Sequence, residues 1–115
     1  MVTTAFLHAS WLVLRLSIRT LGHSDGASIA AIYAGSHQDH RVQGLALIAP
    51  HFIVEDISVA SIAGIKQAYE TAGLKAKLQR WHRDVDNAFY GWNGAWLDPK
   101  FRCWDISEYL AYIRV

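Results

Sequence analysis

The sequence has few cysteines and prolines and none of the common metal-binding motifs. Its 115 residues include one cysteine, Cys103, and two prolines. A single cysteine excludes an internal disulfide framework and any cysteine-rich metal site, and it favours a reducing compartment, so we expect a cytoplasmic protein. No His-x-Glu, His-Glu-x-x-His or Cys-x-x-Cys spacing occurs, and we therefore expect no bound metal.

The chain also lacks an excess of charge and a long apolar run. Eleven Lys and Arg against ten Asp and Glu leave a net charge of +1, which argues against nucleic acid and against a polybasic membrane surface as partners. No run reaches the ~18 apolar residues that span a bilayer. Apolar residues make up 52%, so the chain should collapse into one domain or a piece of one.

The first half of the sequence predicts a strand, a helix and a second strand. Trp11 to Ile18 is apolar and partly alternating, which is typical of a strand. Residues 27–34 are small or apolar, as in a helix packed against a sheet, and Gly35 can end it in a left-handed cap. The continuous apolar run 42–49 is typical of a parallel strand covered on both faces. Together they predict a parallel βαβ unit.

The second half has helical spacing. Apolar residues recur at three- and four-residue steps in three stripes, namely Ile62, Ile65, Tyr69 and Ala72; Leu74, Leu78 and Trp81; and Val85, Phe89, Trp92 and Trp96. The first helix can begin at a cap formed by Asp56 or Ser58 and end at Gly73.

The end of the chain carries three further local signals. Asp98-Pro99 resembles a cap followed by proline at the first helical position. Asp105 and Glu108 are spaced as a capping box for a last short helix. Residues 113–115 look like the start of another strand.

The informative motif is the pentapeptide 22–26, Gly-His-Ser-Asp-Gly. It matches Gly-x-Ser-x-Gly, and it stands between a predicted strand and a predicted helix, which is the setting of a nucleophile elbow. A side chain leaves such a sharp turn only if the backbone is strained, and Gly22 and Gly26 relieve the crowding because they have no Cβ. Ser24 would then stand at a helix N-terminus, where the dipole and the Asp25 amide can stabilise an oxyanion. The alternative is an ordinary loop in which two glycines flank a serine.

With these residues, the segment from Leu21 to Val115 resembles the middle of an α/β-hydrolase fold protein, a serine hydrolase. The likeness rests on the elbow, on Ala49-Pro50-His51 after the next strand, and on an aromatic helical segment containing residues 92–99. The resemblance implies that Ser24 is the nucleophile and that the Asp25 amide forms half of the oxyanion hole. It implies ester, thioester or carbon–carbon hydrolysis of a small acyl substrate through an acyl-enzyme, without a cofactor.

The resemblance also implies an organisation. We expect an atypical N-terminal segment at 1–20, a partial α/β-hydrolase core at 21–56, a helical cap at 57–112 and the start of a truncated strand at 113–115. In the family the oxyanion-hole loop precedes the elbow, and the acid and the histidine follow the cap. We therefore expect a truncated chain that is weakly active or inactive.

Residues inside the chain could replace the missing acid and base. Some hydrolases of this fold take the acid from the loop after the strand that follows the elbow helix, where Asp56 and the less favoured candidate Glu55 lie. Asp56 is more simply a helix N-cap. His51 follows a strand end and could reach Ser24, whereas a structural histidine is the simpler interpretation. His82 lies in the predicted cap and is more simply a packing or solvated residue.

The aromatic residues near the end of the chain suggest a substrate pocket, and they also suggest an alternative function. Four of the five tryptophans lie between Trp81 and Trp104. We predict that Phe89, Trp92 and Trp96 line an apolar substrate pocket; the alternative is that these large rings form the core of a small helical layer. The alternative to an enzyme is a non-catalytic interaction module whose apolar, tryptophan-rich helical face binds a partner or self-associates.

Overall fold

A computed structural model describes residues 17–115, which divide into two compact units. The described part of the first unit consists of residues 17–52 and 106–115, and the second unit consists of residues 53–105. The predicted N-terminal segment, 1–20, lies largely outside the described residues. The second unit also differs from the predicted cap at 57–112, because residues 106–112 belong to the first unit.

The first unit is built on two parallel strands joined by a helix. β1 (Ile18–His23) is followed by α1 (Asp25–Ser36) and β2 (Val42–Ile48). In the described residues the two strands form the sheet, with β1 parallel to β2. The α/β class and the parallel βαβ arrangement are confirmed at this level.

Small side chains allow α1 to lie close to both strands. The buried residues of the helix are Ala27, Ser28, Ala30, Ala31, Ala34 and Gly35. A methyl group on each alanine fills the interface without holding the helix away from the sheet, which explains why this helix carries so few large residues on its inner side.

β1 differs from the predicted strand at its end. The predicted strand from Trp11 to Ile18 falls outside the described residues except for its last two. β1 continues through residues 22 and 23, which we predicted as part of the turn, because they pair with residues 47 and 48 of β2. The turn between strand and helix is therefore reduced to Ser24.

Three terminal signals were wrong. Gly35 does not cap α1 but lies inside it, buried against Tyr109 of α5 (Ser107–Leu110), where a Cβ would lie 2.8 Å from the Tyr109 Cβ. The predicted capping box is absent, because Ile106 is the N-cap of α5 and no side chain caps it. Residues 113–115 form no strand.

The second unit is helical. It contains α2 (Asp56–Thr71), α3 (Leu74–Leu78), α4 (Val85–Leu97) and a 3-10 helix (Pro99–Cys103). Two of the three predicted stripes supply its buried apolar side chains, which are Ile62 and Tyr69 from α2 and Val85, Phe89 and Trp96 from α4. In residues 17–115 no helix is long and apolar enough to cross a membrane.

Two predicted helix ends of the second unit are confirmed, one at Gly73 and one at Asp98. Gly73 follows α2 with a φ of 76°, the left-handed conformation expected of a glycine after a helix. The Asp98 side chain accepts a hydrogen bond from the Lys100 amide at 2.9 Å and caps the 3-10 helix, which begins at Pro99. Trp81 was wrongly assigned to the second stripe, because it lies beyond α3 and is 82% exposed.

Tyr69 contacts both the aromatic core of the second unit and an ion pair. Its ring stacks on Phe89 with centroids 3.7 Å apart, and its hydroxyl donates to Asp86. Asp86 also pairs with Lys75 at 2.8 Å. Burial, and then the hydrogen bond to Asp86, raises the pKa of Tyr69 from 10.0 to about 12.

This raised pKa predicts an alkaline loss of stability. Since the folded state holds the Tyr69 proton more tightly than the unfolded state, the free energy of unfolding should fall as the pH rises from 10.0 to about 12. Urea unfolding at a series of pH values should show a shallower alkaline decline in Tyr69→Phe. The exposed Tyr112 provides the control, and an equal change in Tyr112→Phe would contradict the assignment.

Candidate active site

Ser24 has a strained backbone. It lies between β1 and α1 with a φ of 54° and a ψ of −124°. This ψ is far from the left-handed minimum near about +47°, so the conformation costs on the order of 1–3 kcal/mol. In the described part of the chain, Ala49 is the other non-glycine residue with a positive φ.

Close backbone packing imposes this conformation. A Cβ at Gly22 would lie 2.5 Å from the Gly26 carbonyl oxygen and 2.6 Å from the Ala27 Cα, so β1 and α1 can approach only because Gly22 has none. The Ser24 amide donates to the Ile48 carbonyl at 2.9 Å. The start of the helix is thereby held against both strands.

Gly26 has a different role from the one we predicted. A Cβ at Gly26 would meet nothing within 4 Å, so this second glycine of the motif is not required by close approach. It lies in the first turn of α1, and its surroundings leave room for a side chain. Of the two predicted elbow glycines, only Gly22 has a steric role here.

The Ser24 side chain stands at the N-terminus of a 12-residue helix. A serine at this position usually caps the helix through its side-chain oxygen, but Ser24 makes no such bond. Its side chain is half-buried. Asp25 is the first residue of α1, so its amide belongs to the turn where backbone N–H groups and the helix dipole favour negative charge.

A buried serine links α1 to the segment after β2. The Ser28 hydroxyl donates to the His51 carbonyl at 2.6 Å and accepts from the His51 amide at 3.1 Å. Its own amide donates to the Ser24 carbonyl at 3.2 Å. Ser28 thus connects Ser24 to the segment that contains Ala49, whose φ is 48°.

Sequence reasoning missed Ser28 and Ala49. Ser28 could have been noticed as the one hydroxyl among the small residues that α1 buries. Ala49 carries no comparable signal, because alanine rarely adopts a positive φ and its position before a proline favours extended backbone.

The structure places the candidate base and acid in different units. His51 is half-buried in the first unit, in the segment held by Ser28. Asp56 is the first residue of α2 in the second unit, where its carboxylate pairs with Arg102. The N-cap of α2 is Glu55, so the interpretation of Asp56 as the N-cap was wrong, and Ser58 does not cap the helix either.

The predicted pocket residues separate into two groups. Phe89 and Trp92 line an apolar groove of the second unit with a volume of about 380 Å³. Trp96 does not line it, because its ring packs on Phe101 and Trp104 with centroids 5.1 and 6.5 Å away. His82, which we weighed as a base, lies on the wall of this groove.

Comparison of the chain with protein-family models, with curated proteins and with solved structures found no match. In residues 17–115, no group of three or more His, Cys, Asp and Glu side chains could hold a metal ion.

The contact at Gly22 predicts unequal effects of the same substitution at the two glycines. Gly22→Ala should lower the free energy of unfolding by about 2–3 kcal/mol or more, because the new methyl group overlaps backbone. Gly26→Ala should be neutral or stabilising by about 0.5–1 kcal/mol, since alanine is the better residue inside a helix. Urea unfolding measures both, and equal effects would contradict the close approach.

The hydrogen bonds of Ser28 predict a second stability difference. Ser28→Ala should cost about 1–3 kcal/mol, because it removes the buried hydroxyl that bonds both the amide and the carbonyl of the half-buried His51. Ser36→Ala is the matched control, since Ser36 lies on the same helix, is exposed and bonds only locally to Ile32, Tyr33 and His37. Its effect should stay within about 0.5 kcal/mol. Chemical denaturation compares the two.

Proposed function

We propose that Ser24 is the nucleophile of a serine hydrolase of the α/β-hydrolase type. The observation that carries the proposal is the backbone of Ser24, with φ 54° and ψ −124°, between a parallel strand and the helix that follows it. Strain of this kind at a polar residue is typical of functional sites, and a sharp strand-to-helix turn is the setting of a nucleophile elbow. Gly22, which alone allows the approach, further supports it.

The proposed reaction is acyl transfer to water. The Ser24 Oγ attacks a carbonyl carbon while its proton passes to a base, and the carbonyl oxygen becomes an oxyanion. The Asp25 amide and the N-terminus of α1 stabilise that charge. The intermediate collapses, the proton goes to the leaving group, and water then hydrolyses the acyl-serine. Esters, thioesters, lactones and carbon–carbon bonds adjacent to a carbonyl are the substrates of this chemistry.

His51 is the proposed base. It follows β2, the strand that neighbours β1 in the sheet, and the carboxyl ends of parallel strands lie at the same edge. The double hydrogen bond with Ser28 holds the His51 backbone to the helix that begins beside Ser24. Asp56 stays a prediction as the acid, and its pairing with Arg102 gives it no added support.

Covalent labelling tests the nucleophile. A fluorophosphonate probe should label the protein, and Ser24→Ala should abolish labelling while Ser36→Ala, on the same helix, leaves it unchanged. His51→Gln should slow labelling by about 10² or more if His51 is the base. Labelling that persists in Ser24→Ala, or none in the wild type, refutes the nucleophile. Full-rate labelling of His51→Gln refutes only the base.

Exposed apolar side chains favour a second candidate function, an interaction module. Leu21 of β1 is 70% exposed, Ile29 of α1 is 66% exposed, and Ile57 of α2 is 73% exposed. Of the four described tryptophans, only Trp81 is largely exposed, so a binding face in the second unit would not be broadly tryptophan-rich. Concentration-dependent oligomers in light scattering, together with absence of fluorophosphonate labelling, would favour this function over hydrolysis.

A further inference from the structure

Ser28 uses its hydroxyl differently from Ser36, which lies on the same helix. The Ser28 hydroxyl is 3.5 Å from the Ser24 carbonyl, four residues back, but its short hydrogen bond, at 2.6 Å, goes to the His51 carbonyl. Ser36, and Thr71 on α2, donate instead to the carbonyl four residues back, at 2.6 and 2.8 Å. That local bond is the usual one for a hydroxyl within a helix, so Ser28 is committed to a residue 23 positions away.

The hydrogen bonds of Ser28 fix the backbone after β2 at a point where strand pairing has ended. β2 ends at Ile48, Ala49 has a φ of 48°, and Pro50 has no amide proton to donate. His51 then donates its amide to the Ser28 hydroxyl at 3.1 Å, and its carbonyl accepts from the same hydroxyl at 2.6 Å. Because one hydroxyl bonds both backbone groups, moving His51 away from Ser28 would break both bonds.

Ser28 also contacts the residue that we propose as the nucleophile. Its amide donates to the Ser24 carbonyl at 3.2 Å, and its hydroxyl oxygen lies 3.5 Å from the same carbonyl oxygen. The carbonyl oxygens of Ser24 and His51 are therefore no farther apart than the distances 3.5 and 2.6 Å taken together. Ser28 is 4% exposed, so water has little access to these bonds. The backbones of the proposed nucleophile and base are thus held at neighbouring points by one buried residue.

We infer that Ser28 is a positioning residue for the proposed reaction: it holds the His51 imidazole where it can take the proton of the Ser24 hydroxyl. The inference rests on the proposed hydrolase function and adds a residue to it. The Ser24 proton passes to a ring nitrogen of His51, and the Ser28 hydroxyl keeps its own proton. A misplacement of about 1 Å can slow a reaction by as much as about 10², so loss of this hydroxyl should slow the reaction without removing the base.

Double-mutant kinetics of fluorophosphonate labelling test the inference in the full chain. Ser28→Ala should lower the maximal labelling rate by at least about tenfold and leave the probe concentration for the half-maximal rate unchanged, because Ser28 does not touch the probe. In the His51→Gln background the same substitution should change the rate by less than about twofold, because no base is left to position. A purely structural effect of Ser28→Ala would slow labelling equally in both backgrounds.

Ala31→Gly is the matched control for loss of stability. Ala31 is fully buried on the same helix, so glycine there should destabilise the protein, as Ser28→Ala does, while leaving the bonds of His51 in place. Its labelling rate should equal that of the wild type at a temperature where circular dichroism shows both variants folded. If Ser28→Ala does not fold, Ser28→Cys takes its place with the same expected slowing, since a thiol is a weaker donor and acceptor.

Three outcomes overturn the inference while leaving Ser24 as the nucleophile. These are a wild-type labelling rate in Ser28→Ala, an equal loss in the wild-type and His51→Gln backgrounds, and a loss in Ala31→Gly as large as that in Ser28→Ala. Full-rate labelling of His51→Gln refutes the base and this inference together. If the wild type is not labelled, or Ser24→Ala still is, the hydrolase proposal itself fails, so the two failures are distinguishable.

Discussion

The contact between the end of β1 and the start of α1 is the constraint on which the first unit depends. Because Gly22 has no Cβ, the backbone of Gly26 and Ala27 lies where a side chain would otherwise be, 2.5–2.7 Å from a Cβ built there. Only Ser24 is left to reverse the chain, so it takes a positive φ. Backbone packing, and not the preference of serine for capping, therefore determines how this hydroxyl is presented.

Such strain persists only where the surrounding structure compensates for it. Ala27 and Ala31 of α1 are fully buried, and the Ser24 amide and carbonyl are both hydrogen-bonded. Ser28 extends this support to the segment after β2, where Ala49 is also strained. Ser28 thus joins two segments that contain a residue with a positive φ: its amide donates to the Ser24 carbonyl, and its hydroxyl bonds the backbone of His51, two residues after Ala49.

Features that depend on local periodicity and composition were predicted correctly from the sequence. The apolar run predicted β2 at 42–49 and it spans Val42–Ile48, while Gly73 takes the left-handed conformation expected of it. The failures come from contacts distant in sequence. Gly35 was predicted as a cap because a glycine after a helical run usually is one, but its actual reason is the approach of Tyr109, which no local pattern could reveal.

The aromatic stripe of α4 is a second case in which a local sequence pattern could not reveal contacts with distant residues. Phe89, Trp92 and Trp96 follow one another at helical spacing, so periodicity gives them the same role. What separates them is the chain that follows α4, because Phe101 and Trp104 pack on Trp96, whereas Phe89 and Trp92 line the groove. Spacing along a helix identifies the face that turns inward, and later segments decide which part of that face becomes core and which part lines a groove. The sharp turn at Ser24 was predictable for the opposite reason, since Gly22 and the backbone of Gly26 and Ala27 that approaches it lie within three positions of Ser24.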